Sequence, residues 1–299
     1  MVEISVATSD GLHAVGRAEA VAFKGETVNS YVREGSGAWA ITEGTGVWRR
    51  GPDGWKHVTT ASDLRLNCLL PGKDVLVGTA EAHLHRLGEG GLQPLGSFDQ
   101  ADGRDDWYTP WGGPPDVRSI TRGSSGSIYA NVHVGGVLRS EDDGSSWTPT
   151  IDIHSDVHEV RAYEANGLGD LVLAATAWGL ALSEDGARAW GFDDEGLHAS
   201  YARAVGLCNG RVLMSSSVGP HGGRSAIYRR ALGRAGFSKC EDGLPEWFND
   251  NIDTGCLATE GTRAAFGTSD GRVFLSEDEG SSWSEVASGL PPVRAVAFE

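Results

Sequence analysis

The octapeptide SEDDGSSW at residues 140–147 returns as SEDGARAW at 183–190 and as SEDEGSSW at 276–283. The copies share Ser, Asp, Gly and Trp, and each suits the closure of a β-hairpin. Asp accepts backbone N–H groups of its own turn, Gly takes positive φ, and Trp folds back over the strands it joins.

The flanking residues repeat as well, and self-similarity at some tens of residues signals a propeller or a solenoid. Six segments align, at 28–58, 64–98, 117–148, 157–192, 202–240 and 252–286. Each reads as four short strands with Gly, Asp and Ser at the breaks, as in DVRSITRG, SIYANVHVG, GVLRSED and SWTPT. The chain ends supply one more. VRAVAF at 293–298 matches an inner strand, and ISVATSDG at 4–11 matches the second strand AAFGTSDG at 264–271 before LHAVG and EAVAF follow. Joining the ends removes open sheet edges. The expectation is an all-β chain, a seven-bladed β-propeller of four-stranded antiparallel blades. It forms one domain over 1–299, with the last blade closed by the N- and C-terminal strands. Six blades with a ragged terminus is the competing arrangement.

These repeats resemble the BNR/Asp-box group, and more broadly the WD40/YVTN/BNR-like repeat proteins. The group includes sialidases, xyloglucanase-type glycosidases, sortilin-like receptors and a photosystem II assembly factor. The resemblance implies that the Asp-box hairpins are structural and lie opposite the ligand face, so Ser140, Asp142, Gly144 and Trp147 receive no catalytic role. It also implies, for a sialidase, three arginines on a carboxylate, an Arg-Ile-Pro segment, an acid Asp and a Tyr nucleophile with a Glu partner. Tyr201 with Glu43 or Glu81 answers to the last pair. The sequence holds no Arg-Ile-Pro segment, so sialidase activity proper is not expected.

With 25 basic and 41 acidic residues the net charge is −16, the opposite of a phosphate-tracking surface, and nucleic acid is excluded as a partner. No stretch approaches the ~20 apolar residues of a membrane span, and no basic start leads into an apolar run. A cytoplasmic protein without membrane contact is expected. Cys68, Cys208, Cys240 and Cys256 show no paired spacing and read as buried, reduced thiols.

Stacking the inner strands gives a column of Ser30, Arg65, Arg118, His158, Arg203, Asp253 and Arg294, a ring at one mouth of the channel. Gathered arginines need carboxylates or an anionic ligand. They either brace the ring, through Glu43, Glu81, Asp116, Asp156, Asp253 or Asp270, or grip a carboxylate or phosphate through forked hydrogen bonds. His133, His158 and His198 start or end strands on the same face as Tyr201, and His221 sits in the Gly-rich loop SSSVGPHGGRS. A histidine there can serve as acid or base. Asp156 and His158 alternate along a strand and share a side, so a divalent metal joined by His133 or His198 is a possible addition, although no cofactor is required. Two long connections bring aromatic side chains: 99–116 with Trp107, Tyr108 and Trp111, and 242–251 with Trp247 and Phe248.

Two functions follow. The first is a hydrolase or lyase, glycosidase-like, acting on a small anionic and sugar-like molecule. Arg65, Arg118, Arg203 and Arg294 hold the anion. Asp253, Trp107, Trp111, His221 and Trp247 line the site, and His158, His198, Tyr201, His133 and Asp156 carry the chemistry. The second is a non-catalytic scaffold for a protein or peptide partner, in which the arginines are salt-bridged.

Overall fold

The computed structural model describes residues 2–16, 21–165 and 169–299. Its strands form seven antiparallel sheets, the architecture of a seven-bladed β-propeller. Six sheets have four strands in simple meander order, such as Val117–Arg122, Ile128–Val132, Gly136–Ser140 and Thr148–Pro149. In the seventh, Ile4–Thr8 lies between Gly11–Val15 and the C-terminal Val293–Phe298. The fourth strand expected there, EAVAF, begins at Glu19 and Ala20, which lie outside the described residues. Its Ala22 bridges Leu12.

The chain forms two compact units. One comprises Met1–Tyr31, Ala175–Leu180 and Phe192–Glu299, the other Val32–Ala174 and Ala181–Gly191. The first is centred on Phe266, whose ring meets Phe274 at 5.0 Å, Trp283 at 5.0 Å and Phe248 at 5.4 Å. The second has several apolar layers between its sheets, among them one of Leu76, Leu84, Phe98, Ile128, Leu138 and Trp147. All four cysteines are buried and none forms a disulfide, and burial pushes the Cys68 thiol up to about 12. That suits packing rather than reactivity.

The repeated octapeptide builds the same turn each time. Ser140 Oγ donates to Asp142 Oδ1 at 2.8 Å and accepts the Gly144 N–H at 2.8 Å. Asp142 then accepts the Ser146 N–H at 2.9 Å and its hydroxyl at 2.6 Å. The copy at Ser276 repeats this with Asp278, Gly280 and Ser282. In the middle copy the glycine stands one place earlier. Two successive residues take positive φ in every copy, Asp143 and Gly144, Gly186 and Ala187, Glu279 and Gly280, so a glycine relieves strain at either place.

The hydrogen bonds from the Ser146 side chain, the Ser146 N–H and the Ser140 side chain hold the Asp142 carboxyl down at about 2, from an ordinary 3.8. The turn therefore contributes stability above pH 3.8 that disappears as pH falls towards about 2. The melting temperature of Asp142→Asn is expected to lie below that of wild type at pH 7, and the gap is expected to close between pH 4 and pH 2 in a scanning calorimeter.

Candidate active site

Within the unit built on Val32–Ala174, three side chains of the expected set meet. His133 follows the strand Ile128–Val132, its N–H donating to Asp116 O at 2.9 Å. Asp156 and His158 flank the start of Val157–Glu164, behind a single turn at Ile153–Ser155. That turn is capped by Asp152, which accepts the His154 N–H at 2.9 Å. Asp156 leaves it with φ 50°, a left-handed backbone that Asp tolerates better than most residues.

The Asp156 carboxylate lies between the two imidazoles. Oδ1 is 3.0 Å from His133 Nε2, and Oδ2 is 3.5 Å from His158 Nε2. Both histidines are buried and Asp156 is partly exposed. Burial raises the Asp156 carboxyl, but contact with the two histidines more than offsets it, so the group sits well below the usual carboxylate range. The His133 and His158 rings are 5.6 Å apart, and Trp111 lies over His133 at 5.2 Å. Trp111 is 69% exposed at the tip of a turn closed by Thr109, whose hydroxyl donates to Gly112 O and Gly113 O at 2.8 and 3.0 Å. Tyr108 Oη lies 3.3 Å from His154 Nδ1, an addition to the expected set that the sequence offered only as loop content. Trp107 differs from the expectation of a ligand-facing ring. It turns inward against Phe98 at 5.8 Å, beneath the Arg104 guanidinium at 4.9 Å, and anchors the connection.

Three of the four arginines in the column fall at β-bulges, devices that re-aim a side chain. Val117 faces Val132 and Ser119 faces Asn131, leaving Arg118 as the extra residue. Arg294 is the extra residue between Val293 and Ala295, and the shift in Tyr201–Cys208 takes in Arg203. In Leu66–Leu70 the extra residue is Asn67. Arg65 therefore lies two residues ahead of the column, exposed in the connection before the strand. Asp253 also precedes its strand, Leu257–Glu260, in a turn closed by the Cys256 N–H to Asp253 O at 2.9 Å.

In the other unit, Arg203 Nη1 donates to both oxygens of Asp253 at 3.0 Å. Its Nη2 lies 3.4 Å from Tyr201 Oη and from Pro220 O. This ties down the loop carrying His221, which is itself exposed. Arg203 is thus paired with Asp253, one of the carboxylates named for the bracing alternative. His198 Nδ1 lies 2.7 Å from Tyr228 Oη, with Trp247 at 4.6 Å. Burial lowers the pKa of this histidine. Lys239 Nζ caps the far side of the group, 3.6 Å from the Trp247 ring centroid.

No family profile and no curated protein matches the sequence. Solved structures do match in fold. Virginiamycin B lyase from Staphylococcus aureus superposes with a TM-score of 0.64 at 13% identity, covering 88% of this chain and 85% of that one. YCF48 bound to a D1 peptide gives 0.59 at 14% identity over 92% and 84%. The GH74 xyloglucanase from Xanthomonas campestris gives 0.61 at 15% identity, over 95% of this chain and 47% of that longer one. At such identities the likeness is one of fold.

Arg203→Ala is expected to cost ~1–3 kcal/mol in urea denaturation, since it removes charge-assisted hydrogen bonds to a half-exposed partner. Arg203→Lys should recover only part of that, because an ammonium lacks the planar fork.

Proposed function

We propose that this chain is a catalytic propeller of lyase or hydrolase type, with His133, Asp156 and His158 as its reactive centre and a small anionic molecule as its substrate. The observation that carries this reading is the convergence of two buried imidazoles on one carboxylate beneath the exposed Trp111 ring. A proton can be taken from or returned to a ligand lying on that ring, and removing such an acid or base costs ~10²–10⁴ in rate. Arg118 supplies the anion grip. It is aimed by its bulge and stands two residues after Asp116, whose carbonyl holds His133. The lyase and xyloglucanase structures that share the fold support chemistry on this scaffold, and a catalytically inactive histidine-to-alanine variant of the lyase, seen with quinupristin, supports looking to histidine. The octapeptide turns read as the Asp boxes of the BNR group and serve the scaffold alone.

A peptide-binding scaffold is the second reading. Trp178 and Phe192 are both exposed with rings 5.7 Å apart, Arg203 is already engaged by Asp253, and the peptide-bound YCF48 structure shares the fold.

A thermal-shift screen against sugar acids, phosphorylated sugars and aromatic acids separates them, because a ligand of the folded state raises its melting temperature. The expected result is stabilisation of wild type by an anion, lost in Arg118→Ala and Trp111→Ala. Mass spectrometry of the stabilising compound should then show products whose masses sum to the substrate for a lyase, or to the substrate plus water for a hydrolase. His133→Gln should abolish them. Stabilisation by none of these anions would remove the enzyme reading. A display-selected peptide whose binding is lost in Trp178→Ala would establish the scaffold.

A further inference from the structure

Among the described residues, His133, Asp156 and His158 form the one group of three histidine, cysteine or acidic side chains whose ligand atoms all lie within 4.8 Å of one another. We propose that this group is a binding site for a divalent transition metal of the zinc class, held by His133 Nε2, His158 Nε2 and the Asp156 carboxylate.

Several features distinguish this arrangement from an ion pair. His133 Nε2 is 3.0 Å from Asp156 Oδ1, yet this buried oxygen receives no hydrogen bond of acceptable geometry. The two atoms are in close approach without the geometry of a full hydrogen bond. A zinc ion ~2.0–2.2 Å from each tetrahedral donor holds those donors about 3.3 Å apart. The observed separations of 3.0 and 3.5 Å bracket that spacing. The polar surroundings are also incompletely satisfied. Ser155, next to Asp156, has a buried hydroxyl without a hydrogen-bond partner, and both side-chain atoms of the fully buried Asn131, two residues before His133, have none. Buried polar groups are rarely left so in a folded protein without water or an ion nearby.

The chemistry of the donors narrows the ion. Two imidazoles and one carboxylate suit zinc, iron or manganese rather than calcium or magnesium, which prefer all-oxygen shells. Three protein ligands leave at least one position for water or an anionic oxygen, the pattern of catalytic rather than structural sites. The Trp111 ring lies 5.2 Å from the His133 ring. Asp156 is held in the left-handed region by the turn before it, so its carboxylate is positioned by the backbone before any ion arrives.

This deepens the reading of the cluster as a reactive centre. With an ion bound, the imidazoles would serve as ligands, and the ion would supply an acidified water, whose hydroxide form can take a proton, and an open position for a carboxylate or phosphate oxygen of the substrate. The site and the activity nevertheless fail separately. Metal retention without turnover would leave the site standing and remove the catalytic reading. Turnover by protein that binds no metal would do the reverse.

The test is equilibrium dialysis of chelator-stripped protein against micromolar zinc, with metal content read by elemental mass spectrometry. Cobalt substitution followed by visible absorption provides a readout independent of activity. Asp156→Asn is the informative variant, because Asn also tolerates positive φ and the fold should survive. His198→Ala is the histidine control. The expected result is one zinc per chain in wild type and in His198→Ala, and affinity at least about 100-fold weaker in Asp156→Asn and His133→Ala, no smaller than the loss on removing an outer-shell partner. A wild type that takes up no zinc or cobalt overturns the proposal. So does an Asp156→Asn variant, folded by circular dichroism, that binds as wild type does.

Discussion

A flat row of backbone donors and acceptors must end in water or against another strand, and the pairing of Ile4–Thr8 with Val293–Phe298 settles which. Ile4 faces Phe298, Ser5 faces Ala297, Val6 faces Val296 and Ala7 faces Ala295. The strand from the chain's beginning is thus central in its sheet, with Gly11–Val15 on its other side. The apolar side chains of both strands join the Phe266 core, so hydrogen bonding and burial act together. Glu299 completes the closure by accepting the hydroxyls of Ser5 and Tyr31. Every other sheet is a local meander, formed by residues a few tens of positions apart. This pairing is the contact that joins the two ends of the sequence in one sheet.

The repeat was legible because its information is local. Ser, Asp, Gly and Trp in an eight-residue window specify their own turn, and the turn recurs with nearly the same hydrogen bonds in three blades. The end-to-end closure was legible because VRAVAF and ISVATSDG each matched a strand elsewhere. Local information also explains the misplacement of Arg65. The letter pattern aligned it with Arg118, but the bulge falls on Asn67, and a bulge reflects the pairing between two strands rather than the composition of either. The two tryptophans of the 99–116 connection differ for a similar reason. Trp107 packs inward against Phe98, whereas Trp111 stays exposed over His133, and nothing in the letters DDWYTPWGG separates them.

The site was legible in part. Alternation along one strand put Asp156 and His158 on one side, and His133 was expected nearby because second-strand ends and inner-strand starts share a face. The chain's own geometry added the left-handed turn at Asp156, which the sequence HSDVH does not announce, and the pairing of Tyr108 with His154. Asn131 was missed because a lone Asn in the run YANVH reads as an ordinary strand residue. Its complete burial marks it only once the sheet is built. Arg203 illustrates the converse. It was named as a grip or a brace, and the structure pairs it with Asp253.

The closing pair of strands also bears on how the protein is made. Ile4–Thr8 leaves the ribosome almost 290 residues before its partner, and at 5–20 residues per second the interval is roughly 15–60 s. During that time one edge of this strand has no native neighbour, while the blades behind it can already form from local hairpins. Throughout that interval the strand carries an exposed β-edge. A chain interrupted before Val293 retains that edge indefinitely and becomes a template for a second copy.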